Sequence, residues 1–174
     1  MYKIDDLIVY GSKGVCRVEE IGYPDIPYIN QKRLYYTLVP IYSEGRIYTP
    51  VDTSVFMRPV ITCEEAQHLI VEMPTAQADS YDERNLRLLA GQYDKILQNC
   101  DCKELIQLIR RIHVKRETLK ESGKKFGQID EQYMKRAEEM LHGEFAVALG
   151  IPKSGVKEYI IKQMKKLKKN SSME

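Results

Sequence analysis

Over roughly the first sixty residues, apolar and polar positions alternate in short runs: Leu7 to Tyr10, Val15 to Ile21, Leu34 to Tyr42, Ile47 to Val51 and Val55 to Val60. A period of two filled with β-branched and aromatic side chains predicts strands. The interruptions GSKG, GYPDIPYINQ and SEG supply the turn chemistry, and Gly11, Gly14, Gly22 and Gly45 mark the bends. So many short strands in so little chain predict a small, strongly bent β-barrel. Pro40, Pro50 and Pro59 donate no ladder hydrogen bond and are expected at edges, strand ends or bulges. Neighbours such as Tyr35 and Tyr36 fall on opposite faces of their strand.

From Thr62 onward apolar residues recur every three or four positions, which places the domain boundary there. Thr62-Cys63-Glu64-Glu65 reads as a capping box opening a first helix, which runs to about Met73 and is stopped by Pro74. A second helix is expected from about Ser80 to Leu97, with Leu86, Leu89, Ala90, Tyr93 and Leu97 on one stripe. Asp101 caps a third, with Leu105, Leu108, Ile109 and Ile112 inside. Asp130 is expected to cap a fourth, carrying Met134, Ala137, Leu141, Phe145 and Ala148 and ended by Gly150 and Pro152. Ser154 is expected to cap a fifth, with Val156, Tyr159, Ile160, Met164 and Leu167 apolar. The fold class is therefore α+β: a β domain over 1–61, an all-α bundle of about five helices over 62–169 and a flexible tail over 170–174.

Composition changes this picture little. Hydrophobic residues at 43% and charged residues at 30% fit a soluble globular protein. No apolar run is long enough for a membrane span and the start has no secretory pattern, so a cytoplasmic protein is expected. Cys16, Cys63, Cys100 and Cys102 lack zinc-ligand spacing and are expected as reduced thiols. The formal net charge is only +2. It divides almost evenly, with seven basic and seven acidic residues before Thr62 and 20 against 18 after it.

Catalytic chemistry has little to build on. His68, His113 and His142 belong to no metal or triad motif, and Glu64-Glu65 and Glu138-Glu139 point about 100° apart on helices instead of converging. No enzyme activity, cofactor or metal is expected. Arg110, Arg111, Lys115 and Arg116, with Arg84, Arg87 and Lys95 on the preceding helix, can line a phosphate backbone or form a solvated face. Tyr81 can stack on an unpaired base or pack on a neighbouring helix. The lysine-rich last helix reads as a docked helix with a solvated face, against membrane or nonspecific phosphate binding. Tyr10, Tyr35, Tyr36, Tyr42 and Tyr48 supply the aromatic content typical of protein-binding surfaces, with barrel lining as the alternative for about half of them.

The runs DDLIVYGSKGVCRVEEI, LYYTLVPIY and GRIYTPV resemble the RNA-polymerase-interacting domain shared by CarD, CdnL and the transcription-repair coupling factor. NCDCKELIQLIRRIHVKR, GKKFGQIDEQYMKRAEEMLHGEFAVALGIP and VKEYI are similar to the C-terminal domain of CarD-type regulators, so the resemblance covers about residues 3 to 161. It implies a Tudor/SH3-like barrel that binds the RNA polymerase β subunit, and a helical domain that contacts promoter DNA at the upstream edge of the bubble and stabilises the open complex. The implied polymerase contacts are Tyr10, Arg17, Arg46 and Tyr48. The implied DNA contacts, weak and without sequence specificity, are Tyr81, Arg84, Leu86, Arg87, Lys95, Arg110, Arg111, Lys115, Arg116 and Arg136. The family's tryptophan wedge has no counterpart in a chain without Trp; Tyr81 or Leu86 stands nearest. A monomer without membrane contact is expected, with strand exchange through open barrel edges as the route to a dimer. The rival reading is a protein adaptor on the polymerase that makes no DNA contact.

Overall fold

The computed structural model describes residues 1–75 and 85–171. The chain divides into two compact units, Met1–Val60 and Ile61–Glu174. Among the described residues the architecture is α+β, a five-stranded antiparallel sheet followed by five α-helices.

In the first unit β1 (Leu7–Tyr10), β2 (Val15–Gly22), β3 (Tyr35–Pro40), β4 (Ile47–Pro50) and β5 (Met57–Pro59) form a sheet in the order β4-β3-β2-β1-β5. The three strand prolines end their strands, where a missing donor costs no ladder bond. Ile8, Cys16, Val18, Tyr36 and Leu38 fill the core, with Tyr10, Ile21, Ile47 and Met57 packed around them. The β2–β3 register runs Cys16↔Pro40, Arg17↔Val39, Val18↔Leu38 and then shifts at a bulge, so that Glu20 meets Thr37 and Ile21 meets Tyr36. Burial pushes the Cys16 thiol up to about 11, so it stays protonated at neutral pH.

A 3-10 turn at Gly11–Lys13 joins β1 to β2, with Gly11 at φ +43°. A Cβ at this position would lie 3.1 Å from Val55 Cγ1. Gly11→Ala is expected to lower stability by about 1–2 kcal/mol, the usual cost of left-handed backbone in an L-residue. Thermal unfolding checks this, and a variant as stable as the parent would show that the turn relaxes.

The second unit contains α1 (Cys63–Glu72), α2 (Leu86–Asn99), α3 (Cys102–Glu121), α4 (Gln128–Leu149) and α5 (Val156–Ser171). Thr62 closes a capping box with Glu65 ahead of α1, and Asp101 caps α3 through the Glu104 amide at 3.0 Å. Gly150, left-handed at φ +65°, terminates α4. One core runs through all five helices, from Ala66 and Ile70 through Leu89, Tyr93, Leu105, Ile112 and Phe145 to Val156. The carboxylate of buried Glu144 accepts from the Ile61 amide at 3.1 Å and from the Cys102 thiol at 3.2 Å, so the charged group sits inside without loss of its partners.

Three expected helix starts are corrected. Asn85, not a residue near Ser80, caps α2 through the Arg87 and Leu88 amides; Ser80 itself lies outside the described residues. Gly127 occupies the cap of α4, and Asp130 sits one turn inside, turned toward the core. Ser154 lies within a 3-10 turn, Lys153–Gly155, that precedes α5.

Candidate functional site

Alternation in the sheet separates the sequence-predicted polymerase contacts. Arg17 pairs with Val39, Val39 shares a face with Thr37, and Thr37 pairs with Tyr48. Arg17 and Tyr48 therefore lie on the face opposite Cys16, Val18 and Leu38. Leu7, paired with Arg17, belongs to the same face and is partly exposed; sequence reasoning overlooked it, although its parity with Arg17 was available. Arg17 meets Asp5 at 3.2 Å. Arg46, ahead of β4, binds Glu19 with two hydrogen bonds of 2.5 and 3.3 Å. That hydrogen bond holds the Glu19 carboxyl below, and the Arg46 guanidinium above, their ordinary ranges. Both pairs are exposed, so they orient side chains more than they stabilise the fold.

Tyr10 falls on the inner face instead. It is partly buried against the core, and its hydroxyl donates to the buried Thr49 Oγ1 at 3.1 Å. The ring that composition offered as a docking contact is thus committed to the interior by strand parity.

In the helical unit the expected basic face of α3 breaks into separate roles. Arg111 is only 7% exposed, with its guanidinium 5.7 Å from the centroid of the Tyr93 ring. Its placement on a solvated face is corrected: it lies on the same side of α3 as Leu108 and Ile112, and the Tyr93 π-face compensates its burial. Arg110 donates to the carbonyl of Met73 at 2.8 Å and to that of Pro74, closing the end of α1. Lys115 pairs with Asp130 at 2.7 Å. Arg116 is exposed and lies over Phe126 at 5.5 Å.

Tyr93 is the hub of this arrangement. Its hydroxyl donates to Asp130 at 2.9 Å, and its ring packs 5.2 Å from that of Tyr133. The Tyr133 hydroxyl donates to Asp94 at 2.8 Å, and Arg136 lies 3.8 Å from Asp94 and over the Tyr133 ring. Burial and the Asp94 bond raise the Tyr133 phenol. A single chain of polar contacts thus links α2, α3 and α4 and orients Lys115 and Arg136. Arg87 and Lys95, eight residues apart on α2, are exposed.

The first turn of α2 shows two large apolar side chains to solvent, Leu86 at 59% and Leu88 at 58% exposure. Leu86, expected in the core stripe with Leu89, Tyr93 and Leu97, is corrected: it stands at the first position of α2 and is exposed. Sequence reasoning missed Leu88, which is out of phase with the stripe and was visible as such. Tyr81 and Arg84 lie outside the described residues. Among the described residues no cluster of His, Cys, Asp or Glu is arranged to hold a metal, and no helix is long and apolar enough to cross a membrane.

The sheet face opposite Cys16, Val18 and Leu38 carries Arg17 and Tyr48, residue types enriched in protein interfaces. Residues 2–61 match the family model described as the CarD-like/TRCF RID domain. The N-terminal unit is thus similar to that family of domains over about a third of the chain. The match ends one residue beyond the sheet unit, and α1 to α5 lie outside it. No curated protein matches the chain.

Proposed function

We propose that the protein is a non-enzymatic bacterial regulator of transcription initiation. It docks on the β subunit of RNA polymerase through the outer sheet face and contacts promoter DNA at the upstream edge of the bubble with its helical unit. The observation that carries this reading is the family match over residues 2–61, with Arg17 and Tyr48 sharing one outward face. The sheet acts as the family's Tudor-like barrel. Arg87, Lys95, Arg116 and Arg136 serve as phosphate contacts that fix position without reading bases, and Lys115 is held behind them by Asp130. Arg110 and Arg111 brace the helices behind them. Leu86, joined by Leu88, takes the place of an apolar wedge at a base step; Tyr81 and Arg84 are further DNA contacts in this reading. Neither surface needs high affinity alone, because docking on one particle raises the effective concentration of the other contact.

In the full chain, Arg17→Glu combined with Tyr48→Ala is expected to weaken binding to core polymerase by at least about tenfold, roughly 1.4 kcal/mol, with an unchanged thermal unfolding curve. Equal affinity for the parent and this variant would overturn the docking face.

A second reading, a polymerase adaptor without DNA contact, is favoured by one observation. Arg110, Arg111 and Lys115 already have partners inside the bundle, which thins the basic surface. Photocrosslinking from positions 95 and 136 in an initiation complex separates the two: adducts on upstream promoter DNA support the first, and adducts on protein alone support the adaptor.

A further inference from the structure

The helical unit holds an apolar groove that none of these contacts uses. It has a volume of about 460 Å³ and lies between α3 and α5 over a floor from α4, with Ile106, Ile109, Leu141, Ile160 and Met164 among its lining residues. Its volume falls in the range of built binding clefts, but its form is that of an open trough. The apolar lining continues onto Val114 and Ile161 at the rim, which are 54% and 44% exposed. Monomeric proteins seldom leave such a continuous apolar strip uncovered. The strip follows helical spacing on both walls: Ile106, Ile109, Arg110, His113 and Val114 on α3, and Lys157, Ile160, Ile161 and Met164 on α5.

Charge narrows the occupant. α5 carries six lysines and one acid, Glu158. Lys157 lines the groove, and Lys165 follows the lining residue Ile161 by one helical turn along α5. Arg110 and His113 stand on the α3 side, and Glu138 is the one acid among the lining residues. Burial holds His142 below its ordinary value despite the opposing pull of Glu138, so the positive rim is supplied by Lys157 and Arg110. A phosphate backbone finds no partners on an apolar floor. A lipid surface would need anchors that protrude, whereas Ile106, Leu141 and Ile160 are recessed and α5 has neither Trp nor Phe.

We propose that this groove docks an acidic amphipathic α-helix of a second protein, with apolar anchors at i, i+4 and i+7 seated between α3 and α5 and carboxylates facing the lysine edge. The proposal is independent of the polymerase-docking face and stands if that face fails.

The test uses the full chain and a designed, fluorescein-labelled helical peptide of about 15 residues, with leucines at i, i+4 and i+7 and flanking glutamates. The controls are the same peptide with lysines replacing the glutamates and a glutamate peptide without leucines. The acidic amphipathic peptide is expected to bind at least about tenfold more tightly than either control, and added salt should weaken it. Ile161→Glu and Val114→Glu, both at exposed rim positions, should each reduce that affinity about tenfold without altering the melting curve. Lys157→Glu and Lys165→Glu should reduce it while leaving the leucine-free control unchanged. Indistinguishable binding of the three peptides, or an Ile161→Glu variant that binds as the parent does, overturns the proposal. So does Ile161-dependent binding to phosphatidylglycerol vesicles without peptide binding, which assigns the groove to a membrane surface. A concentration-dependent dimer dissolved by Ile161→Glu, again without peptide binding, assigns it to a second copy of the chain and equally overturns the proposal.

Discussion

An Asp130→Ala variant is expected to lose about 3 kcal/mol of stability, measured by urea unfolding followed by far-ultraviolet circular dichroism. Asp130 is 4% exposed and holds Lys115 at 2.7 Å and the Tyr93 hydroxyl at 2.9 Å. Removing the carboxylate strands a half-buried ammonium and an interior phenol, and the penalty comes from those orphaned groups more than from the lost attraction. Tyr93→Phe, which deletes only a hydroxyl, should cost about 1 kcal/mol. Lys115→Met in the Asp130→Ala background should recover part of the loss, because it removes the unpaired cation. A loss below about 0.5 kcal/mol for Asp130→Ala, the size of an exposed pair, would show that the network relaxes onto water and does not pin the three helices.

Replacing Leu86 and Leu88 together with Ala is expected to shorten the open-complex lifetime about tenfold. Fully burying an exposed leucine side chain contributes about 1.5–3 kcal/mol, and 1.4 kcal/mol corresponds to a factor of ten. Both leucines are more than half exposed, so the folded state should change by no more than about 0.5 kcal/mol. Filter-binding decay of preformed complexes after competitor addition reads the effect, with polymerase affinity measured in parallel. Faster decay at unchanged affinity supports the wedge, and unchanged decay removes these leucines from the mechanism. The single variants apportion the effect between the two side chains.

What the sequence revealed follows the range of the forces involved. Thr62-x-x-Glu65 and Asp101 act on amides within a few residues, so their caps could be read locally and are found in place. The five strands likewise follow from a short period and turn residues. Asp130 fits a local cap pattern equally well, but a partner 37 residues away, Tyr93, turns it inward. Arg111 looks basic and solvated until the packing angle of α3 sends it over the same Tyr93 ring. Tyr10 and Tyr48 are indistinguishable in composition and are separated by strand parity, which becomes decisive only once the pairing of β3 with β4 is known. Any role for the outer face is an expectation of the family resemblance; the local pattern alone offers none.

The bulge between Val18 and Glu20 has one further meaning. Two successive acids in a strand look like a break in its alternation. The extra residue acts as a frame correction that keeps both Glu19 and Glu20 off the core and returns Ile21 to it, opposite Tyr36. Deleting Glu19 would leave Val18, Glu20 and Ile21 in plain alternation, with Glu20 still opposite Thr37 and Ile21 still opposite Tyr36, while the arginine ahead of β4 would lose its partner. The inserted residue therefore serves the contact with Arg46 and not the core register, and its removal should cost that surface pair and the local bend more than it costs packing.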